Sequence, residues 1–109
     1  MWRASMDLVG DVYRLCGVFT PEERFGLSAQ IKRAAVSIPS NIAEGSRRGS
    51  KKDYHHFLLI FFGSGSELET QIEVSKNLPF GKKLDFTLID SLLDEVMKML
   101  NSLVNKLGR

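Results

Sequence analysis

An all-α fold, an antiparallel up-and-down four-helix bundle, is the class this sequence predicts, on three observations. Four stretches repeat apolar residues at helical spacing. The connections between them are short and carry proline or glycine. No stretch alternates apolar and polar residues over any length, so no strand is expected. The 109 residues read as one four-helix domain, 1–109, with room for one modest core. With 43% hydrophobic and 26% charged residues, the composition is that of a soluble globular protein. The net charge of +2 is too small to imply a nucleic-acid partner by itself, so clustering of the basic residues decides. The lone cysteine, Cys16, excludes an internal disulfide and fits a reducing, cytoplasmic setting. No charged-then-apolar signal segment opens the chain. The longest apolar run, residues 57–62, is far short of the roughly 20 residues that span a bilayer, so no membrane partner is expected.

The first helix is expected over residues 2–19. Trp2, Met6, Val9, Tyr13 and Cys16 share one stripe, widened by Leu8, Val12 and Leu15. Arg3, Asp7, Asp11 and Arg14 take the opposite side, and Cys16 reads as a small packed hydrophobe. A helix starting at Trp2 leaves almost no chain before it, which fits a chain trimmed at its start. Thr20, Pro21 and Glu23 make a helix-start signature that Gly26 soon interrupts, so a short turn precedes the second helix.

The second helix is expected over 27–44. Leu27, Ile31, Ala35, Ile38 and Ile42 form its core stripe. Gln30, Arg33, Ser37, Ser40, Asn41 and Glu44 form a polar stripe, and Ala29, Val36 and Ala43 a small apolar one that a neighbouring backbone can approach. Pro39 falls inside the apolar period, where a proline removes a hydrogen bond and costs about 3 kcal/mol. The unbroken period predicts a kinked helix, with Ser37, Ser40 or a neighbouring element serving the freed carbonyl; the alternative starts a new helix at Pro39 and leaves Ile38 in a linker. The helix ends at Gly45, and a loop with Arg47, Arg48, Lys51 and Lys52 follows.

Ser50 caps the third helix, which runs to about Asn77 and is stopped by Leu78-Pro79. Tyr54, Leu58, Phe61, Leu68 and Ile72 form its core stripe, with Gly65 between. Residues 57–62 are apolar on every side, and Leu59 and Ile60 point away from that stripe. A bundle this small cannot bury both faces, so a second subunit is the expected cover. Gly63 and Gly65 cost about 1 kcal/mol each relative to alanine unless a close backbone contact offsets them; a break into two helices near Gly63 is the alternative. After a turn at Gly81, Lys82 and Lys83, the fourth helix is expected over 85–107. Its heptad-like stripe is Ile89, Leu92, Val96, Met99, Leu103 and Leu107, and Gly108 ends it.

The run QIKRAAVSIPSNIAEGSRRGSKKDYHHFLLIFFGSGSELETQIEVSKNL resembles the bacterial four-helix-bundle proteins encoded in intervening sequences of large-subunit (23S) ribosomal RNA genes. Gln30, Ala34, Ala35, Ser37, Ile38, Pro39, Asn41, Ile42, Ala43, Glu44 and Gly45 carry the resemblance, with Gly63, Glu67, Leu68, Glu69, Thr70 and Gln71. The resemblance covers nearly the whole chain. It implies a four-helix bundle that assembles into a homo-oligomeric ring, a pentamer. A related branch, the accessory proteins of diversity-generating retroelements, forms pentameric barrels and binds nucleic acid through a basic surface.

Arg47, Arg48, Lys51 and Lys52 lie within six residues, beside a helix N-terminus whose free amides and dipole also favour phosphate. A ring would repeat the cluster. Lys32 and Arg33 are candidates to extend it, and Lys82 and Lys83 form a separate basic spot. The expected subunit contacts are Leu59, Ile60, Phe62, Gly63, Ala29, Val36 and Ala43. His55 and His56 point about 100° apart on a helix and have no third ligand at helical spacing, so no metal is expected. Arg48 and His55 have the spacing of some helical-bundle ribonucleases, but Gly49 stands where a polar residue usually follows the arginine. Glu44, Glu67 and Glu69 read as partners for arginines such as Arg33 or Arg47, or as polar contacts between subunits. No catalytic residue and no cofactor is expected. The sequence thus predicts a non-enzymatic, nucleic-acid-associated ring on RNA or DNA; the alternatives are a structural or adaptor ring for another protein and, behind it, a weak ribonuclease.

Overall fold

The computed structural model of the protein describes residues 2–23 and 25–107. Four helices, α1 (Trp2–Cys16), α2 (Leu27–Ser46), α3 (Lys51–Asn77) and α4 (Thr87–Leu107), are joined by short segments holding 3-10 turns at Pro21–Glu23 and Gly81–Lys83. Helices adjacent in sequence pack together and α4 closes back onto α1, which is the order of an up-and-down four-helix bundle. The molecule measures 45 × 22 × 19 Å. Leu8, Val12 and Leu15 of α1, Ile31, Ala35, Ile38 and Ile42 of α2, Leu58, Phe61, Leu68 and Ile72 of α3, and Ile89, Leu93, Val96 and Leu100 of α4 form one continuous core.

Two of the expected stripes are rotated. In α1 the core arc is Ser5, Leu8, Asp11, Val12, Leu15 and Cys16. Trp2, Met6 and Tyr13 are exposed instead. The largest side chains drew the expected stripe onto the neighbouring arc, whereas α1 must face α2 and α4 at once. Two small polar residues fall within the buried arc; Ser5 is satisfied locally and Asp11 in part, its Oδ2 having no hydrogen-bond partner among the described residues. Ser5 Oγ donates to Trp2 O at 2.7 Å, and Arg14 Nε donates to Asp11 Oδ1 at 2.6 Å. In α4, Leu93 and Leu100 are buried where Leu92 and Met99 were expected. Both 92/93 and 99/100 are apolar pairs, and packing against both α1 and α3 selects the second member. The side chain of Leu107 and the expected stop at Gly108 lie outside the described residues.

Helix α1 stops at Cys16, three residues early, because Val18 N–H turns back to Leu15 O and Phe19 N–H to Cys16 O, each at 3.1 Å. Phe19 is thereby released to meet the Phe80 ring edge-on at 4.8 Å. The turn after Thr20 is closed by backbone, Glu23 N–H to Thr20 O at 3.0 Å. At the start of α4, Asp85 lies just outside the helix and accepts from Thr87 N–H at 2.9 Å. Helix α3 is continuous through Gly63, and α2 is continuous through Pro39. Ser37 Oγ donates to Ala34 O and Ser40 Oγ to Val36 O. These are the carbonyls on either side of Ala35 O, the one that Pro39 leaves without its amide.

Candidate functional site

Helix α2 runs one residue past Gly45 because this glycine is buried in the helix, not placed beyond its end. It has no positive φ to relieve. What requires glycine is the arrival of α3: a Cβ here would stand 2.8 Å from Phe57 Cβ and 3.2 Å from Tyr54. The contact fixes how α2 hands over to α3 and so shapes the basic loop between them.

Arg47 and Arg48 of that loop, and Lys51 and Lys52, which the structure places in the first turn of α3, are all exposed. They are not equivalent. The Arg48 guanidinium is 2.6 Å from Glu44 Oε1 and lies 4.7 Å from the centre of the Phe57 ring. Glu44 therefore pairs with Arg48, one turn on, rather than with Arg33 or Arg47. Arg47, Lys51 and Lys52 have no such carboxylate partner among the described residues. Ser50 caps α3, its Oγ accepting from Asp53 N–H at 3.0 Å. The Asp53 carboxylate sits in the first turn. One free amide is thus already used and a negative charge already answers the helix dipole. Any phosphate held here relies on side-chain cations more than on the helix end.

The bundle brings further cations to this end, which spacing along the chain did not reveal. Trp2 shares a groove with Ala43, so the start of α1, with exposed Arg3, lies beside the end of α2. On the other side Lys76 meets Asp90 and Gly65 faces Met97, so α4 runs antiparallel to α3 and brings Lys106 level with His56. Lys32 and Arg33 are elsewhere. They lie some 14 residues back along α2, about 20 Å at 1.5 Å per residue, and the Lys32 amine sits 4.9 Å from the centre of the Tyr13 ring. Lys82 and Lys83 belong to the opposite end of the long axis, beside Phe80 and the end of α1.

His55 is half-buried and His56 exposed, its ring edge toward Phe57 at 6.1 Å. Among the described residues no group of three or more His, Cys, Asp or Glu side chains could hold a metal ion. Glu67 accepts from Gln71 Nε2 at 3.1 Å. Cys16 is buried with its Sγ 3.9 Å from Ser28 O, and burial pushes the thiol above its ordinary value. It packs as a small hydrophobe, protonated at neutral pH.

The expected contact residues divide into two faces. Leu59, Ile60 and Gly63 are exposed on the outward side of α3, whereas Phe62 is half-buried against the protein's own core. Val36 and Ala43 line an apolar groove between α1 and α2, with Trp2, Met6, Val9 and Pro39. Ala29 is half-buried farther along the same stripe. Among the described residues no helix is long and apolar enough to cross a membrane. Compared with known protein families, residues 1–102 match the family described as 23S rRNA-intervening sequence protein. No curated protein matches the chain.

Proposed function

The chain belongs to the 23S rRNA-intervening sequence protein family, and from that premise we propose a non-catalytic, ring-forming protein of the bacterial cytoplasm whose basic end holds the phosphate backbone of RNA or DNA. The observation that carries the proposal is the convergence of Arg47, Lys51 and Lys52 with Arg3 and Lys106 at one end of a four-helix bundle, exposed and, among the described residues, without carboxylate partners. Repetition around a ring multiplies this weak individual attraction. Catalysis is not part of the proposal. Arg48, the arginine of the ribonuclease-like spacing, is held by Glu44 and Phe57.

The test is a salt titration of a fluorescent oligonucleotide, as RNA and as DNA. Binding should weaken with a slope of about 0.9 per neutralised phosphate on duplex DNA and show little sequence preference. Replacing Arg47, Arg48, Lys51 and Lys52 by alanine should flatten the slope and leave assembly intact, and the Lys82/Lys83 pair should matter less. No binding by an assembled wild type at about 50 mM salt, where phosphate contacts are strong, overturns the proposal. That result favours the second reading, a structural or adaptor ring for another protein, which draws on the apolar groove beside Trp2.

A further inference from the structure

The two exposed apolar faces differ in shape. Leu59 and Ile60, 48% and 42% exposed, project from the outward side of α3 on either side of Gly63. The second face is concave: a groove of about 350 Å³ between α1 and α2, lined by Trp2, Met6, Val9, Val36, Pro39 and Ala43. We infer that copies of this chain join head to tail, the α3 face of one filling the α1/α2 groove of the next. The inference rests on the proposed ring and names the surfaces that close it.

Height is the first reason. Gly45 meets Phe57 across the α2/α3 contact. Both helices rise equally per residue in opposite directions, so Ala43 is level with Leu59 and Pro39 with Gly63. A cyclic array of parallel copies preserves height, and it therefore presents the projecting face of one copy to the groove of its neighbour.

Charge is the second. Farther along α2 from the groove, Lys32 and Arg33 have no ion pair among the described residues, and they stand level with Thr70 and Glu69. On that part of α3, Glu67 and Glu69 are exposed and also lack an ion pair there. Docking α3 into the groove sets these carboxylates toward the neighbour's Lys32 and Arg33. An α3-to-α3 or groove-to-groove contact between parallel copies sets like charges together instead. Gly63 supplies the third reason. A Cβ there meets nothing within 4 Å, so no contact within the chain explains a glycine in the middle of α3. Close approach of a neighbour's α2 at Pro39 and Ala43 does.

Sedimentation velocity on Ile60→Glu, Ala43→Glu and their equal mixture tests the pairing, with circular dichroism confirming that each variant is folded. Each variant alone should be monomeric where the wild type is assembled. The mixture should form a dimer and stop, because one intact groove and one intact α3 face remain. Variants that assemble like wild type, or a mixture that stays monomeric, overturn the inference while leaving the ring itself standing. A wild type that is monomeric overturns both. Should either variant unfold, Lys32→Glu and Glu67→Lys replace them. Each should weaken assembly at least tenfold and the double reversal in one chain should restore it; losses that merely add overturn the inference.

Discussion

Gly45, near the end of α2, and Gly65, in the middle of α3, are both buried, yet they tolerate an added methyl group differently. At Gly45 the methyl would meet Phe57 Cβ, an atom fixed to the α3 backbone. At Gly65 it would meet the thioether of Met97, the far end of a flexible side chain. Gly45→Ala should therefore cost about 1–3 kcal/mol in urea unfolding, as overpacking does, and Gly65→Ala distinctly less. Asp85 gives a residue-scale prediction of another kind. Its hydrogen bonds from Thr87, side chain first and then backbone, with the nearby Arg14 charge, hold its carboxyl below the ordinary 3.8. The ionised cap thus favours the fold at pH values above 3.8 and its contribution is lost as the pH falls through the lower, folded-state value. Asp85→Ala should lower the melting temperature at neutral pH, and the gap from the parent should close on acidification; a gap independent of pH contradicts this.

At the scale of elements, α2 is the test of how a helix carries a proline. The buried stripe of Ile31, Ala35, Ile38 and Ile42 continues through Pro39, and packing on both sides outweighs the missing hydrogen bond. Pro39→Ala should keep the helix content measured by circular dichroism, because the alanine amide can return to Ala35 O. It should also alter the curvature of α2, and with it the groove that Pro39 lines. Loss of helix in this variant would mean that the proline nucleates a separate segment. Between the next two helices, Lys76 ties α3 to α4 through Asp90 at 2.8 Å and is held above its ordinary value, first by Asp90 and then by Glu73.

The whole molecule is slender, 22 by 19 Å across, and its one core lies along the bundle axis. A core this thin leaves Trp2, Met6, Leu59 and Ile60 on the outside. If assembly covers them, association adds to folding stability by mass action. The melting temperature should rise with protein concentration in the wild type and become independent of it in Ile60→Glu. A wild-type melting temperature independent of concentration would mean that these side chains remain in water.

The sequence by itself determined the number of helices, their order, most of their ends and the core stripes of α2 and α3. Those features depend on local chemistry: the Ser50 cap, the Leu78-Pro79 stop, and apolar periods with one clear phase. Where two apolar phases compete, as in α1 with Trp2 against Leu8 and in α4 with Leu92 against Leu93, the local pattern is degenerate. Only contact with two neighbouring helices at once chose between them, and it buried Ser5 and Asp11 in the process. The same holds for the basic end. The loop cluster is contiguous in the chain and could be read there, but the pairing of Arg48 with Glu44 and the arrival of Arg3 and Lys106 required the bundle. Tertiary structure alone decided these, because antiparallel packing brings together residues that a hundred positions of chain hold apart.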